Sequence, residues 1–158
     1  MKRGIAVLLV FVMMIGMLAG CGSDPVAKDL EKFINTDMVQ VNAKYDALKA
    51  EMAKWESLET DEALVSSLKD TILPNIDESL DLLSKIELET EEVKAIKEKY
   101  KKVLDAYKEG FKGMLNAVET QGDTEAEMVK LEEALKLLED YNKMLEDLAK
   151  EKDMEVTY

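Results

Sequence analysis

The sequence predicts an all-α protein whose body is an antiparallel, up-down-up-down four-helix bundle. Helix-forming alanine, leucine, glutamate, lysine and methionine dominate, and no stretch alternates polar with apolar residues as a strand does. Apolar residues recur instead at steps of three and four, which places them on one face of a helix. Four such stripes are joined by short polar connections, which favour antiparallel neighbours. A three-helix bundle with one element detached or dimerising is the alternative.

The first helix is expected over residues 25–56. Proline suits the first turn of a helix, so Pro25 marks its start, with Ser23 or Asp24 as the N-cap. The later part of its stripe advances in steps of three and four, close to a coiled-coil heptad. The stripe comprises Leu30, Ile34, Met38, Val41, Tyr45, Leu48, Met52 and Trp55.

The second helix is expected over residues 61–86, with Thr60 as its N-cap. Pro74 interrupts the pattern, because proline lacks the N–H that a helix interior needs, and it predicts a kink or two abutting pieces. The stripe comprises Leu64, Leu68, Ile72, Ile76, Leu80, Leu83 and Ile86.

The third and fourth helices are expected over residues 91–119 and 125–151. Thr90 is the expected N-cap of the third helix, and Thr124 with Glu127 fits a capping box for the fourth. Four tyrosines lie on the apolar stripes, where their rings are expected to pack while their hydroxyls reach the edge of the bundle. They are Tyr45, Tyr100, Tyr107 and Tyr141.

Composition excludes most familiar chemistry. The chain has no histidine and one cysteine, so it contains no Ser-His-Asp or Cys-His triad, no thiolate or imidazole zinc site and no internal disulfide. Its 34 acidic residues against 21 basic ones argue against nucleic-acid binding. The fourth helix carries pairs of adjacent acidic residues, but the two side chains of each pair point about 100° apart. They therefore do not converge on one ion. We therefore expect no enzyme activity, cofactor or metal site.

Residues 1–21 differ from everything that follows. Lys2 and Arg3 precede the charge-free run 5–17, which is about 20 Å long as a helix at ~1.5 Å per residue, too short to span a bilayer but typical of a signal peptide. The run leads to Leu18-Ala19-Gly20-Cys21, a tetrapeptide that resembles the lipobox of bacterial lipoproteins.

This resemblance implies that residues 1–20 are cleaved and that diacylglycerol is attached to the sulfur of Cys21. It divides the chain into a signal peptide, a lipidated tether at 21–24, the bundle at 25–151 and a polar tail at 152–158. The protein would be anchored on the extracytoplasmic face of the cell membrane, or on an outer membrane where the source has two membranes. The alternatives are an uncleaved transmembrane anchor, or an incidental cysteine beside an ordinary cleavage site.

Two sets of residues are candidate contact sites. Trp55 and Leu58 lie at the end far from the anchor, where they either bind a partner or close the core. Lys94, Lys97 and Lys101 lie at the start of the third helix, near the expected membrane end. They either contact anionic lipid or pair with neighbouring acids. The glycine pair at 110 and 113, with Pro74, either opens a groove or is a tolerated irregularity.

The function expected is therefore that of a non-catalytic, lipid-anchored interaction module. Its partner would be an envelope protein or a cell-wall polymer. The body also loosely resembles the small all-helical lipoproteins of Gram-positive bacteria that are described as binding the cell wall. The alternatives are a ligand or cation binder with a site between the helices, and an enzyme that uses carboxylates alone.

Overall fold

The computed structural model describes residues 24–154, and 84% of these residues are helical, with no strand among them. The predicted all-α class is therefore confirmed for this part of the chain. The proposed tether up to residue 23 and the tail residues 155–158 lie outside the described residues.

The first helical arm is interrupted. Helix α1 (Pro25–Lys32) runs into a π-helical turn (Phe33–Asp37), and α2 (Val39–Met52) follows. A 3₁₀ turn at Trp55–Ser57 then ends the arm. The prediction of one continuous α-helix over 25–56 is wrong, because the arm contains an extra residue in its first half and leaves the α conformation after α2.

The second arm has the same construction. Helix α3 (Asp61–Ser67) is followed by a π-helical turn (Leu68–Ile72) and by α4 (Leu73–Ser84), with Pro74 in the first turn of α4. The predicted helix over 61–86 is therefore two helices with a π turn between them, immediately before the proline.

The second π turn keeps the apolar stripe in phase. On a straight α-helix the twelve residues from Leu64 to Ile76 would leave these side chains about 120° apart, at ~100° per residue. One extra residue in a π turn reduces that difference to about 20°. Both side chains are buried in the structure, as is Leu68 between them.

The third and fourth helices lie where the sequence predicts them. Helix α5 (Glu91–Glu119) and α6 (Glu125–Glu151) are uninterrupted, and both spans are confirmed. The connections at 85–90 and 120–124 are short. Neither arm before them has such a regular stretch, and the shorter helices α1, α3 and α4 pack against α5.

The helix caps agree only in part with the sequence. The Thr60 hydroxyl accepts a hydrogen bond from the backbone N–H of Ala63 at 3.2 Å, as predicted. The predicted capping box at α6 is wrong, because Thr124 makes no side-chain cap bond. The carboxylate of Asp123 accepts instead from the backbone N–H of Glu125 at 3.0 Å.

The core is one continuous cluster of apolar side chains. Helix α5 packs along α6 and α4, and α2 packs against α4. Aromatic rings connect its parts: the ring centroids of Trp55 and Phe111 lie 5.9 Å apart, and those of Tyr100 and Tyr141 lie 4.9 Å apart. Edge-on and tilted ring contacts of this kind contribute beyond the apolar area they bury.

The tyrosine hydroxyls lie deeper than expected. Tyr100 is 0% exposed, and burial raises the pKa of its hydroxyl well above the ordinary value. Tyr45 and Tyr107 are both 5% exposed, and their side chains hydrogen-bond to each other. The expectation that these hydroxyls reach the bundle edge is wrong, because all four tyrosines are buried in the core.

Candidate functional site

One end of the domain brings together three separate parts of the chain. They are the start of α1, the 85–90 turn and the residues 150–154 at the end of α6. We call this the N-terminal end. Side chains from α1 contact both of the other parts, so the three are fixed relative to one another.

Asp24 joins the start of α1 to the end of α6. Its Oδ1 accepts a hydrogen bond from the backbone N–H of Val26 at 2.8 Å, which caps α1 as predicted. Its Oδ2 lies 3.3 Å from the Nζ of Lys152. The N–H of Val26, together with Lys152, lowers the pKa of the Asp24 carboxyl. The last residue of the proposed tether is thereby held in place.

Asp29 joins α1 to the 85–90 turn and to the start of α5. Its Oδ2 accepts three hydrogen bonds: from the backbone N–H of Glu89 at 3.1 Å, from the N–H of Thr90 at 2.8 Å and from the Thr90 hydroxyl at 2.7 Å. Thr90 occupies the N-cap position of α5, as predicted, but its hydroxyl donates to Asp29 instead of accepting from the first turn of the helix. Burial raises the pKa of Asp29, but the bonds from Thr90 and Glu89 outweigh it and lower the pKa overall.

Two lysines bind the carbonyl groups of the same turn. The Nζ of Lys97 donates to the carbonyl oxygen of Ile86 at 2.7 Å. The Nζ of Lys32 lies 2.6 Å from the Asp37 carboxylate and 3.5 Å from the carbonyl oxygen of Glu87. Cations at these positions satisfy carbonyl groups that follow the end of α4.

The exposed surface of the N-terminal end is acidic. In residues 24–32, 84–92 and 150–154 the exposed carboxylates outnumber the exposed lysines, six to four. The carboxylates belong to Glu87, Glu89, Glu91, Glu92, Glu151 and Asp153, and the lysines are Lys28, Lys32, Lys85 and Lys150. Three of those lysines form ion pairs with Asp37, Asp81 and Glu146.

The three lysines predicted to contact lipid are engaged within the domain. Lys94 pairs with Glu91 at 2.8 Å, and Lys101 pairs with Asp105 at 2.6 Å. The ammonium group of Lys97 binds the 85–90 turn, as described above. These contacts match the alternative interpretation, in which the lysines are partners of neighbouring groups.

Trp55 is buried at the opposite end of the arms. It is 4% exposed, and its Nε1 donates to the Ser67 hydroxyl at 2.8 Å. Leu58 is partly buried against the same core. The interpretation of Trp55 as an exposed anchor for a partner is therefore corrected: its ring, packed on Phe111, closes the core, which was the alternative.

The glycine pair of α5 allows a close approach of α6. A Cβ at Gly110 would lie 2.7 Å from Cδ2 of Leu131, and a Cβ at Gly113 would lie 2.1 Å from Oε2 of Glu127. The space that these glycines leave is filled by the facing helix, so the pair does not open a groove.

Two shallow, open grooves lie on the described surface. The first runs between α5 and α6 and the second between the first π turn and α4; neither includes Pro74. Lys99, Asp140, Met144 and Leu148 are among the residues of the first groove, and Lys32, Gln40, Leu82 and Ile86 are among those of the second.

The expected lipidation site, Cys21, lies outside the described residues. None of the helices in residues 24–154 combines the length and hydropathy that a membrane crossing requires. Within the same residues, no group of three or more histidine, cysteine, aspartate or glutamate side chains is arranged to hold a metal ion.

Comparisons with protein families, with curated proteins and with solved structures each give no match to this chain.

Proposed function

We propose that this protein is a lipid-anchored, extracytoplasmic interaction module whose anchor is a diacylglyceryl group on Cys21. The observation that carries the proposal is the lipobox-like tetrapeptide after a charge-free apolar run with a basic start. Two acyl chains at ~0.8 kcal/mol per buried methylene group give stable attachment, whereas one chain is marginal.

We further propose that the six helices are arranged as an antiparallel, up-down-up-down four-helix bundle. In this arrangement α1 with α2 forms the first rod, α3 with α4 forms the second, and the second rod is kinked near Pro74. The contacts of α2 with α4, of α4 with α5 and of α5 with α6 support it. The contacts of Asp24 with Lys152 and of Asp29 with Thr90 support it too. They bring the start of the first rod next to the end of α6 and the start of α5, as an up-down-up-down order requires.

The role proposed for the domain is binding rather than catalysis. Most of its carboxylates lie on exposed helix faces or form ion pairs, and the buried Asp29 is bonded to the 85–90 turn. Glycoside cleavage needs instead a pair of carboxyl groups about 5–10 Å apart in one cleft. The partner would be an envelope protein or a cell-wall polymer.

Metabolic labelling tests the anchor. Cells expressing the full chain are fed a radiolabelled fatty acid, and the protein is isolated and examined for label. We expect label on the wild-type chain and none on Cys21→Ala, because the thiol is the acceptor. Gly22→Ala is the matched control and should be labelled like the wild type. An unlabelled wild-type chain, or equal label on Cys21→Ala, would refute the proposal.

Crosslinking on intact cells tests the binding role. The wild-type chain and the unanchored Cys21→Ala chain are crosslinked from outside, and covalent adducts are identified by mass spectrometry. We expect one envelope component to be enriched with the anchored chain only. Recovery of no adduct from either chain, together with a co-purifying small molecule, would favour the ligand-binding alternative.

A further inference from the structure

We infer that the domain stands end-on at the membrane, with the N-terminal end facing the lipid headgroups and Trp55 held far above them. This inference rests on the proposed acylation of Cys21. It concerns how the anchored domain is oriented, so it can fail while the acylation stands.

The first step is the length of the tether. Three residues join Cys21 to Asp24, and an extended chain covers at most about 3.3–3.6 Å per residue, or ~10 Å in all. Asp24 is fixed to Val26 and Lys152. The start of α1 therefore lies within about 10 Å of the acylated sulfur, and the 85–90 turn is bound to the same end through Asp29.

The second step is the distance to Trp55. Helix α5 runs without interruption from the 85–90 turn to Phe111, on which the Trp55 ring packs. The 21 residues from Thr90 to Phe111 correspond to about 31 Å at ~1.5 Å per residue. An end-on domain thus holds Trp55 roughly 30 Å above its own base, whereas a domain lying flat brings it within about one helix diameter, ~10 Å, of the surface.

The third step is the charge of the flanks. Several lysines on the long faces of α5 and α6 pair within the domain, among them Lys101 with Asp105, and Lys99 with Asp140 at 2.9 Å. Helices α5 and α6 together carry 15 acidic residues and 11 lysines, so this flank offers anionic headgroups more repulsion than attraction. End-on attachment brings the smallest area of this acidic molecule close to the bilayer.

The chain supplies its own probe, since it has one cysteine and one tryptophan. The chain from Cys21 to Tyr158 is coupled through the thiol to a maleimide lipid and inserted into phosphatidylcholine vesicles containing a dansyl-headgroup lipid. Energy transfer from Trp55 to dansyl falls steeply with distance. A second vesicle contains equal amounts of phosphatidylcholine and phosphatidylglycerol.

The matched control moves the anchor to the other end. In the Cys21→Ser, Ser57→Cys chain the lipid is attached to an exposed position two residues after Trp55. We expect transfer in the Cys21-coupled chain to be several-fold lower than in this control, and to be the same in neutral and anionic vesicles.

Two results would overturn the inference. One is transfer equal to that of the Ser57-coupled control. The other is transfer that rises several-fold in anionic vesicles and returns to the neutral value in a Lys101→Glu, Lys102→Glu variant, which would show that the domain lies on its lysines. Because the lipid is attached chemically, either result is independent of the cellular labelling experiment.

Discussion

Asp29 is the single side chain that contributes most to the geometry of the N-terminal end. Replacing it with alanine leaves the N–H groups of Glu89 and Thr90, and the Thr90 hydroxyl, without their acceptor. We expect Asp29→Ala to lower the free energy of unfolding by about 2 kcal/mol, as for a charge-assisted bond at a helix cap. Unfolding in urea, monitored by circular dichroism, measures this loss of free energy. Glu109→Ala, at an exposed position of α5, is the control, and an equal loss in both variants would contradict this role.

The same carboxylate makes stability depend on pH. The pKa of Asp29 is lower in the folded protein than in an unfolded chain, where it is about 3.9. Its contribution is therefore fully present above that unfolded value and is lost as the pH falls through the folded pKa. We expect the difference in unfolding free energy between the wild type and Asp29→Asn to be constant near neutral pH and to shrink below about pH 4. A difference that grows on acidification would show that the assignment is wrong.

Gly110 is needed for its small size. A Cβ there meets Leu131, which is buried, so overpacking of about 1–3 kcal/mol outweighs the ~1 kcal/mol by which alanine favours a helix over glycine. We expect Gly110→Ala to be destabilising in chemical denaturation. In Gly113→Ala the obstacle is the flexible carboxylate of Glu127, so this variant should be neutral or stabilising. Adding Leu131→Val to Gly110→Ala should recover part of the loss; a purely additive double mutant would argue against the contact.

Sequence patterns could predict some of these residue roles and not others. Trp55 belongs to the apolar stripe of the first arm, and that membership already favoured burial over exposure. The role of Asp29 could not be recognised, because its partners lie 60 and 61 residues away and no local signal connects them. The glycine pair is visible in the sequence, but the sequence does not show which helix fills the space beside it, because that depends on how α5 and α6 cross.

At the scale of elements, the sequence predicts the uninterrupted helices correctly but does not predict the π turns. The regular stripes of α5 and α6 determine both helices to the residue. In the first arm, the π turn rotates α1 by about 100° relative to an uninterrupted helix. That rotation turns Asp29 and Phe33, neither of which belongs to the predicted stripe, into the interior. The unrecognised turn is therefore a second physical reason why the role of Asp29 was missed.

A deletion tests this view of the first π turn. If the turn holds one extra residue, removing the exposed Thr36 should convert it into regular α-helix and leave α1 and α2 in their present rotations. We expect the chain lacking Thr36 to fold with an unfolding free energy within about 1–2 kcal/mol of the wild type. Removing the exposed Ala43 from regular α2 rotates the apolar side chains before it by about 100° relative to those after it. This deletion should abolish cooperative unfolding. Equal damage from both deletions would contradict the account.

At the scale of the whole molecule, charge opposes the fold. The sequence has 34 acidic and 21 basic residues, and many of its ion pairs, such as Lys85 with Asp81 and Lys150 with Glu146, lie on the surface. Surface pairs contribute about 0–1 kcal/mol each, so they do not cancel the repulsion among the excess carboxylates. Stability at neutral pH is therefore expected to depend on how well solvent ions screen that repulsion.

Salt titration measures this dependence. The Debye length falls from about 30 Å at 0.01 M salt to about 3 Å at 1 M, which removes repulsion between separated carboxylates before it removes contacts within ion pairs. We expect sodium chloride to raise the melting temperature by several degrees over this range, since ~1 kcal/mol corresponds to about 2–8 °C for domains of this size class. The same titration near the isoelectric point is the control, because the net charge vanishes there. A rise of equal size at both pH values would mean that salt acts through the apolar surface, and the excess of carboxylates would then not limit stability.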